Sequence, residues 1–287
     1  MHRLKSIFIS VYLTYTVALV GLPVWYIIQE HNYYWVLVGI LHLVPLLFFL
    51  ALMILPTPRT SEELELLTFL EIVLLIFIIS ATFFGFNHNY QLLFYGLAGI
   101  LGWLLYVYWY SVLPRNPNPQ IQVEDNLPPV VLEDLTGKRV DNSFFDGNYN
   151  LLMFFRGNWC PLCMAQINEM STRYQKFEDL GGKIYLISAQ PSGHSRHLSK
   201  KYDIPFHFLV DPELETAKKL GLIHRGGTPL GMELLGYKSD TVLPSVIITD
   251  QRQKIIFFDQ SYNYRIRPKP QSFLNIIINH QSKKSGL

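Results

Sequence analysis

The sequence predicts two parts of different class. Residues 1–113 read as an all-α four-helix transmembrane bundle and residues 123–287 as an α/β domain, with a Pro-rich linker at 114–122. Three observations carry this. The chain is 49% hydrophobic, and the apolar excess sits in the first 113 residues. Four apolar runs there each approach the ~20 residues that cross a ~30 Å hydrocarbon core. Beyond them the composition is ordinarily globular, and strand-length apolar runs alternate with helical periodicities. The net charge of +2 leaves no electrostatic footprint for nucleic acid.

The apolar runs span 7–28, 35–55, 66–86 and 92–113. Short polar turns separate them at 29–34, at 56–65 and at 86–91, the last carrying Asn87, His88 and Asn89. Trp25, Tyr33, Tyr34, Tyr90, Trp109 and Tyr110 stand at run ends, where amphipathic rings favour the membrane interface. The first run is too long for a cleavable signal peptide and has no small-residue cleavage site after it. The expected surroundings of this half are therefore membrane lipid. Arg3 and Lys5, Arg59 in the second loop and Arg115 after the fourth run lie on one side, while the first and third loops carry no Lys or Arg. Four crossings with that bias place both termini, and the C-terminal domain, in the cytoplasm.

Two ionisable residues fall inside the runs, His42 and Glu71. Intramembrane ionisable residues are functional candidates by default. At 1.5 Å per residue His42 lies ~10 Å from the outer end and Glu71 ~7 Å from the inner end, too far apart in depth for a direct pair. Glu71 is within reach of the interface, and a neutral His42 facing the bundle is inexpensive, so structural roles are expected. No cysteine occurs in the bundle, which excludes a dithiol relay through it.

In the C-terminal part, residues 130–132 and 134–140 read as a hairpin turning at Thr136-Gly137. Residues 151–155 form a continuous apolar run, hence a central strand. Ile167, Met170, Tyr174, Phe177 and Leu180 repeat at helical spacing until Gly181-Gly182, and 183–188 is the next strand, completing a βαβ unit. Residues 194–202 read as helix and 206–210 as strand. Asp211 is expected to cap a helix ending at Gly221, with Pro212 in its first turn. Residues 225–236 are Gly-rich and read as a loop near the active site. Residues 242–250 enter a strand, 254–259 are its hairpin partner, and 273–278 close the domain as a helix. One mixed sheet of four to six strands is expected.

The chemistry is concentrated at the junction after the central strand. The chain has 2 cysteines, Cys160 and Cys163, at C-x-x-C spacing on the first turn of a helix. Partial positive charge and free N–H groups at a helix N-terminus stabilise a thiolate, so Cys160 is the expected nucleophile and Cys163 the resolving thiol. Half of a zinc site would need two more ligands, and the nearest downstream histidines, His194 and His197, lie roughly thirty residues away. Two inert core thiols are the bland alternative; Pro161 in the first turn and the pairing argue against it.

The stretch Phe155-Arg-Gly-Asn-Trp-Cys-Pro-Leu-Cys163 after an apolar strand resembles the active site of the thioredoxin superfamily. It is similar, in particular, to peroxiredoxin-like proteins of the alkyl hydroperoxide reductase/thiol-specific antioxidant group, and the resemblance covers about residues 123–280. It implies a thioredoxin-like fold, Cys160 and Cys163 as catalytic residues, and Trp159, Pro161, Arg156 and Pro244 as supporting ones. Pro244 is expected to be cis and to help bind an extended polypeptide. No cofactor or metal is implied. Two activities fit a dithiol: exchange with a protein thiol or disulfide, and peroxide reduction with Cys160 peroxidatic and Cys163 resolving. Either needs an external dithiol partner. The family places Pro and Thr or Ser seven and three positions before its cysteine, where this chain has Met153 and Gly157, and an Arg where it has Pro244. These departures make dithiol exchange the first expectation and thiol peroxidase the alternative. A non-catalytic partner-binding module is the third reading.

Overall fold

A computed structural model describes residues 2–84, 90–117, 119–202 and 204–285. The chain divides into two compact units. One comprises Leu4–Leu55 and Thr60–Val112; the other comprises Met1–Arg3, Pro56–Arg59 and Leu113–Leu287.

The first unit holds α1 (His2–Glu30), α2 (Trp35–Ile54), α3 (Glu65–Phe84) and α4 (Tyr90–Leu104), which continues as a π-helical turn over Leu105–Tyr110. All four are long and apolar enough to cross a membrane. Trp35, Val38, Leu41, Ile78 and Leu92 form a buried core, and Tyr26 stacks on Trp35 at 3.9 Å between ring centres. Leu66, Phe69, Ile76, Phe77, Phe94 and Leu101 point outward, as apolar helices do when lipid is their solvent. The turn expected at Asn87–Asn89 lies outside the described residues. His42 is fully buried, and its Nδ1 bonds to the Val38 carbonyl at 2.8 Å. Glu71 points inward rather than out of the bundle: it is fully buried, with no hydrogen-bond partner for either carboxylate oxygen among the described residues. It lies one turn after Thr68, whose hydroxyl accepts from Trp103 Nε1 at 3.0 Å, so this face of α3 is turned inward.

The second unit is built on a seven-stranded mixed sheet, not the four to six strands expected. Its strands are β1 (Leu132–Glu133), β2 (Arg139–Val140), β3 (Tyr149–Phe154), β4 (Gly182–Ser188), β5 (His207–Val210), β8 (Ser245–Asp250) and β9 (Ile255–Phe258), in the order β2-β1-β5-β4-β3-β8-β9. The extra strands are the short hairpin β1–β2, which joins the edge by pairing Glu133 with Val210. Every residue of β3 is buried. Leu152 pairs in parallel with Tyr185 of β4 and antiparallel with Ile247 of β8, so the 151–155 and 245–249 segments share one sheet. A two-stranded ribbon, β6 (Ile223–His224) with β7 (Thr241–Val242), stands apart and frames the Gly-rich loop. The helices are α5 (Pro161–Ser171), α6 (Tyr174–Glu178), α7 (Ser192–Ser199), α8 (Glu215–Lys219) and α9 (Pro270–Ser285).

Three local expectations change. The helix after the cysteines breaks between α5 and α6. There the Ser171 and Thr172 hydroxyls bond back to the carbonyls of Asn168 and Glu169, and Arg173 N–H closes a tighter turn on Met170. Asp211 is not the capping residue of α8. Residues 211–214 form a turn closed by Leu214 N–H on the Asp211 carbonyl, and Leu214 takes a left-handed φ of 56° before the helix starts. The Asp211 carboxylate still reaches the helix, accepting from Ala217 N–H at 2.7 Å and Thr216 N–H at 3.3 Å. Finally, Leu243–Pro244 is trans; no cis peptide bond occurs among the described residues. Between β7 and β8, Leu243 N–H bonds to the Leu222 carbonyl at 2.6 Å.

Candidate active site: a buried thiol pair

β3 delivers the chain to the site. Phe155 N–H continues the parallel ladder to the Ile187 carbonyl, and the backbone then turns through residues 156–159 into α5. Cys160 is extended (φ −91°, ψ 107°) and stands at the cap position, with Pro161 opening the helix and the Cys160 carbonyl accepting the first helical bond from Met164 N–H at 3.1 Å. Cys163 follows one turn in. Both are free thiols and both are about 1% exposed.

The two thiols are electrostatically unlike. The Cys160 thiol is pushed down to about 6, chiefly by hydrogen bonding from Cys163 and further by the Arg156 and Arg267 guanidinium groups, which together outweigh its burial. Cys163 is pushed up, first by burial and then by donating to, and lying beside, the Cys160 sulfur; Arg267 only moderates this. The pair is therefore arranged as thiolate and thiol, in that order along the helix.

The loop before Cys160 is held from several directions. Arg156 is buried, donates through Nη2 to the Gly227 carbonyl, and lays its guanidinium over the rings of Trp159 at 4.7 Å and Tyr264 at 5.5 Å. Its own carbonyl accepts from the Thr241 hydroxyl at 2.8 Å. Asn158 N–H donates to Gln190 Oε1 at 2.8 Å, and the Tyr237 hydroxyl donates to Asn158 Oδ1. His194 stacks on Tyr237 at 4.7 Å between ring centres, bracing the residue that holds Asn158. Gly227 lies near the start of the Gly-rich segment and Tyr237 just past its end, so the segment is strapped to the thiol loop from both sides.

Gly157 explains one departure from the family pattern. It has φ +153°, and a side chain there would place its Cβ 2.5 Å from Trp159 Nε1. The indole occupies the room that a Thr or Ser side chain would need. Pro244 directly precedes β8, whose first residue Ser245 pairs with Phe154, so it lies near the start of the thiol loop. Its carbonyl accepts from Arg115 Nη2 at 2.8 Å.

Sequence reasoning named Trp159, Pro161, Arg156 and Pro244. It missed Arg267, which is buried and sets Nη2 3.9 Å from Cys163 Sγ. It also missed Gln166, one turn beyond Cys163 on the buried face of α5. Two closely spaced arginines, Arg265 and Arg267, in an irregular stretch before the last helix were the available signal. Three buried N–H donors here have no protein partner: Trp159 Nε1, Gln166 Nε2 and Arg267 Nε.

A parallel β3–α5–β4 crossover with a thiol pair at its strand-to-helix junction, completed by an antiparallel β8–β9 hairpin, gives the domain a thioredoxin-like fold. Residues 123–258 match the AhpC/TSA family, so this part of the chain resembles peroxiredoxins. Peroxiredoxin 2 of Sulfurisphaera tokodaii is 24% identical over 110 residues, covering 36% of this chain and 51% of that protein. Peroxiredoxin bcp1 of Schizosaccharomyces pombe is 29% identical over 111 residues, covering 38% and 57%. The chain spans about half the length of these curated relatives. Among solved structures, a cysteine-to-serine mutant of peroxiredoxin 6 from Arenicola marina is 16% identical, covering 57% of this chain and 75% of that one with a TM-score of 0.49. BcpB from Mycobacterium tuberculosis is 16% identical, covering 55% and 97% with a TM-score of 0.45.

Proposed function

We propose that the protein is a membrane-anchored thiol peroxidase in which Cys160 is the peroxidatic and Cys163 the resolving cysteine. The observation that carries this is the asymmetry of the pair: a stabilised Cys160 beside a raised Cys163, with Arg156, Arg267 and unpartnered N–H donors around them. The Cys160 thiolate attacks one peroxide oxygen, the O–O bond breaks, and the other oxygen leaves as an alcohol or water after taking a proton. Cys160 is then a sulfenic acid, oxidised by two electrons. Cys163 attacks that sulfur, the S–S bond forms, and the sulfenic hydroxyl departs with the Cys163 proton as water. An external dithiol returns two electrons and two protons. Buried donors suit the negative charge that develops on the departing oxygen.

Dithiol exchange with a protein is the second reading, favoured by the C-x-x-C spacing. Against it, the Leu243 backbone, which would receive an extended substrate, is already engaged: its N–H bonds to Leu222 and its carbonyl accepts from Ser245 Oγ at 3.1 Å. Full-length protein in detergent, supplied with a reducing dithiol, is expected to consume an organic hydroperoxide and to leave insulin disulfides intact. Insulin reduction without peroxide consumption would reverse the order of the two readings.

Arg3, Lys5, Arg59 and Arg115 support placing the thiol domain on the cytoplasmic side, where reducing systems keep such a pair as thiols. A C-terminal reporter active only in the cytoplasm is expected to report; signal from a reporter active only outside overturns the placement.

A further inference from the structure

We propose that Arg59 is a positioning residue for the thiol pair: it clamps the helix bearing Cys163 to the segment bearing Arg267, and so fixes where the Arg267 guanidinium stands against the Cys163 sulfur. Arg59 lies between α2 and α3 in sequence but belongs to the same compact unit as the thiol domain. Its guanidinium makes a two-pronged ion pair with Glu169 on α5, Nη1 meeting Oε1 at 3.1 Å and Nη2 meeting Oε2. The same group donates from Nε to the Arg267 carbonyl at 3.0 Å and from Nη2 to the Pro268 carbonyl at 3.5 Å.

These contacts close a ring. From Cys163 the path runs along α5 to Glu169, across Arg59 to the Arg267 backbone, and from Arg267 Nη2 back to Cys163 Sγ at 3.9 Å. A planar guanidinium suits this task, because it can hold a carboxylate with two parallel bonds and still reach carbonyls. The side chains of Arg59 and Glu169 are 24% and 30% exposed. A partly exposed ion pair of this kind contributes little to global stability. Its leverage is local: it sets the position of a buried cation that favours the thiolate of its neighbours.

The proposal rests on Cys160 as the reactive low-pH thiol but not on peroxide as substrate, so the test is alkylation of full-length protein with iodoacetamide across pH, each cysteine followed by mass spectrometry. Arg59→Gln is expected to move the Cys160 midpoint upward by about half a pH unit, roughly a threefold loss of thiolate below the midpoint. Arg267→Gln should move it further in the same direction. Glu169→Gln separates positioning from simple charge. Removing a nearby anion would by itself lower the midpoint, whereas loosening the clamp raises it. An upward shift in Glu169→Gln supports the clamp. A downward shift, or an Arg59→Gln profile that superimposes on wild type, overturns it. If Arg59→Gln does not fold, Arg59→Lys and Glu169→Gln carry the test, with Lys expected to give an intermediate upward shift and an unshifted Lys profile counting against the clamp. A wild-type Cys160 that titrates like an ordinary thiol would instead sink the reading of Cys160 as the reactive thiol.

Discussion

The bundle and the thiol domain both bury polar atoms that have no protein partner, but the two sets differ in kind. In the bundle they are the Tyr12 and Tyr15 hydroxyls, Trp35 Nε1, His42 Nε2 and both oxygens of Glu71. Donors and acceptors are mixed, and they are spread over three helices. In the thiol domain the Tyr202 hydroxyl is one such atom, but those nearest the thiols among the described residues are N–H donors: Trp159 Nε1, Gln166 Nε2 and Arg267 Nε. Burial makes any unpartnered polar group costly. A one-signed set beside a nucleophile has a chemical use, because it meets negative charge on sulfur or on a departing oxygen. A mixed set in an apolar bundle has no such direction. Under the proposed function, the comparison directs the chemistry to the thiol unit and leaves the bundle to be tested as an anchor.

The largest effect that tests this lies at the thiols. Cys160→Ser is expected to abolish peroxide consumption. Cys163→Ser should allow one turnover per molecule and then stall as a sulfenic acid, detectable with a dimedone probe. In wild type, Cys160 alkylation should be slow in acid, rise through about pH 6 as the thiolate forms, and level off above it. Cys163 should react only at higher pH, since its thiol is pushed up. A faster Cys163 at neutral pH would exchange the two roles.

How much of this was legible follows from the range of the forces involved. The four apolar helices were legible because hydropathy sums over about twenty residues and tolerates local error. The β3–α5 junction was legible because C-x-x-C spacing, Pro161 and the apolar run are all local. Contacts that close over long sequence separation were not. Arg59 read only as a charge marking one side of a membrane, yet it bonds to Glu169 and to the backbone of Arg267. Gly157 read as a missing Thr or Ser, and its meaning came from an indole two residues on that needs the space. The cis form expected at Pro244 came from resemblance alone. In this chain the bond is trans.

Glu71 sharpens the comparison with a smaller effect. Its carboxylate is fully buried in α3 and has no hydrogen-bond partner among the described residues, so the side chain costs the bundle a desolvated polar group without a returned hydrogen bond. If the bundle serves only as an anchor, Glu71→Leu removes that cost while filling a similar volume. It should then stabilise the helices by about 1–3 kcal/mol, the usual range for an unsatisfied buried group. Denaturant unfolding in detergent, followed by far-UV circular dichroism, reads this directly. Peroxide consumption and the Cys160 pH profile should both stay at wild-type values, because no group of the thiol site is touched. Glu71→Gln keeps the hydrogen-bonding atoms and should leave stability nearly unchanged. A Leu variant that is less stable than wild type would mean that Glu71 finds a partner in the working protein. A Leu variant of normal stability with slowed turnover would mean that the bundle takes part in the chemistry, and the division between anchor and enzyme would fall.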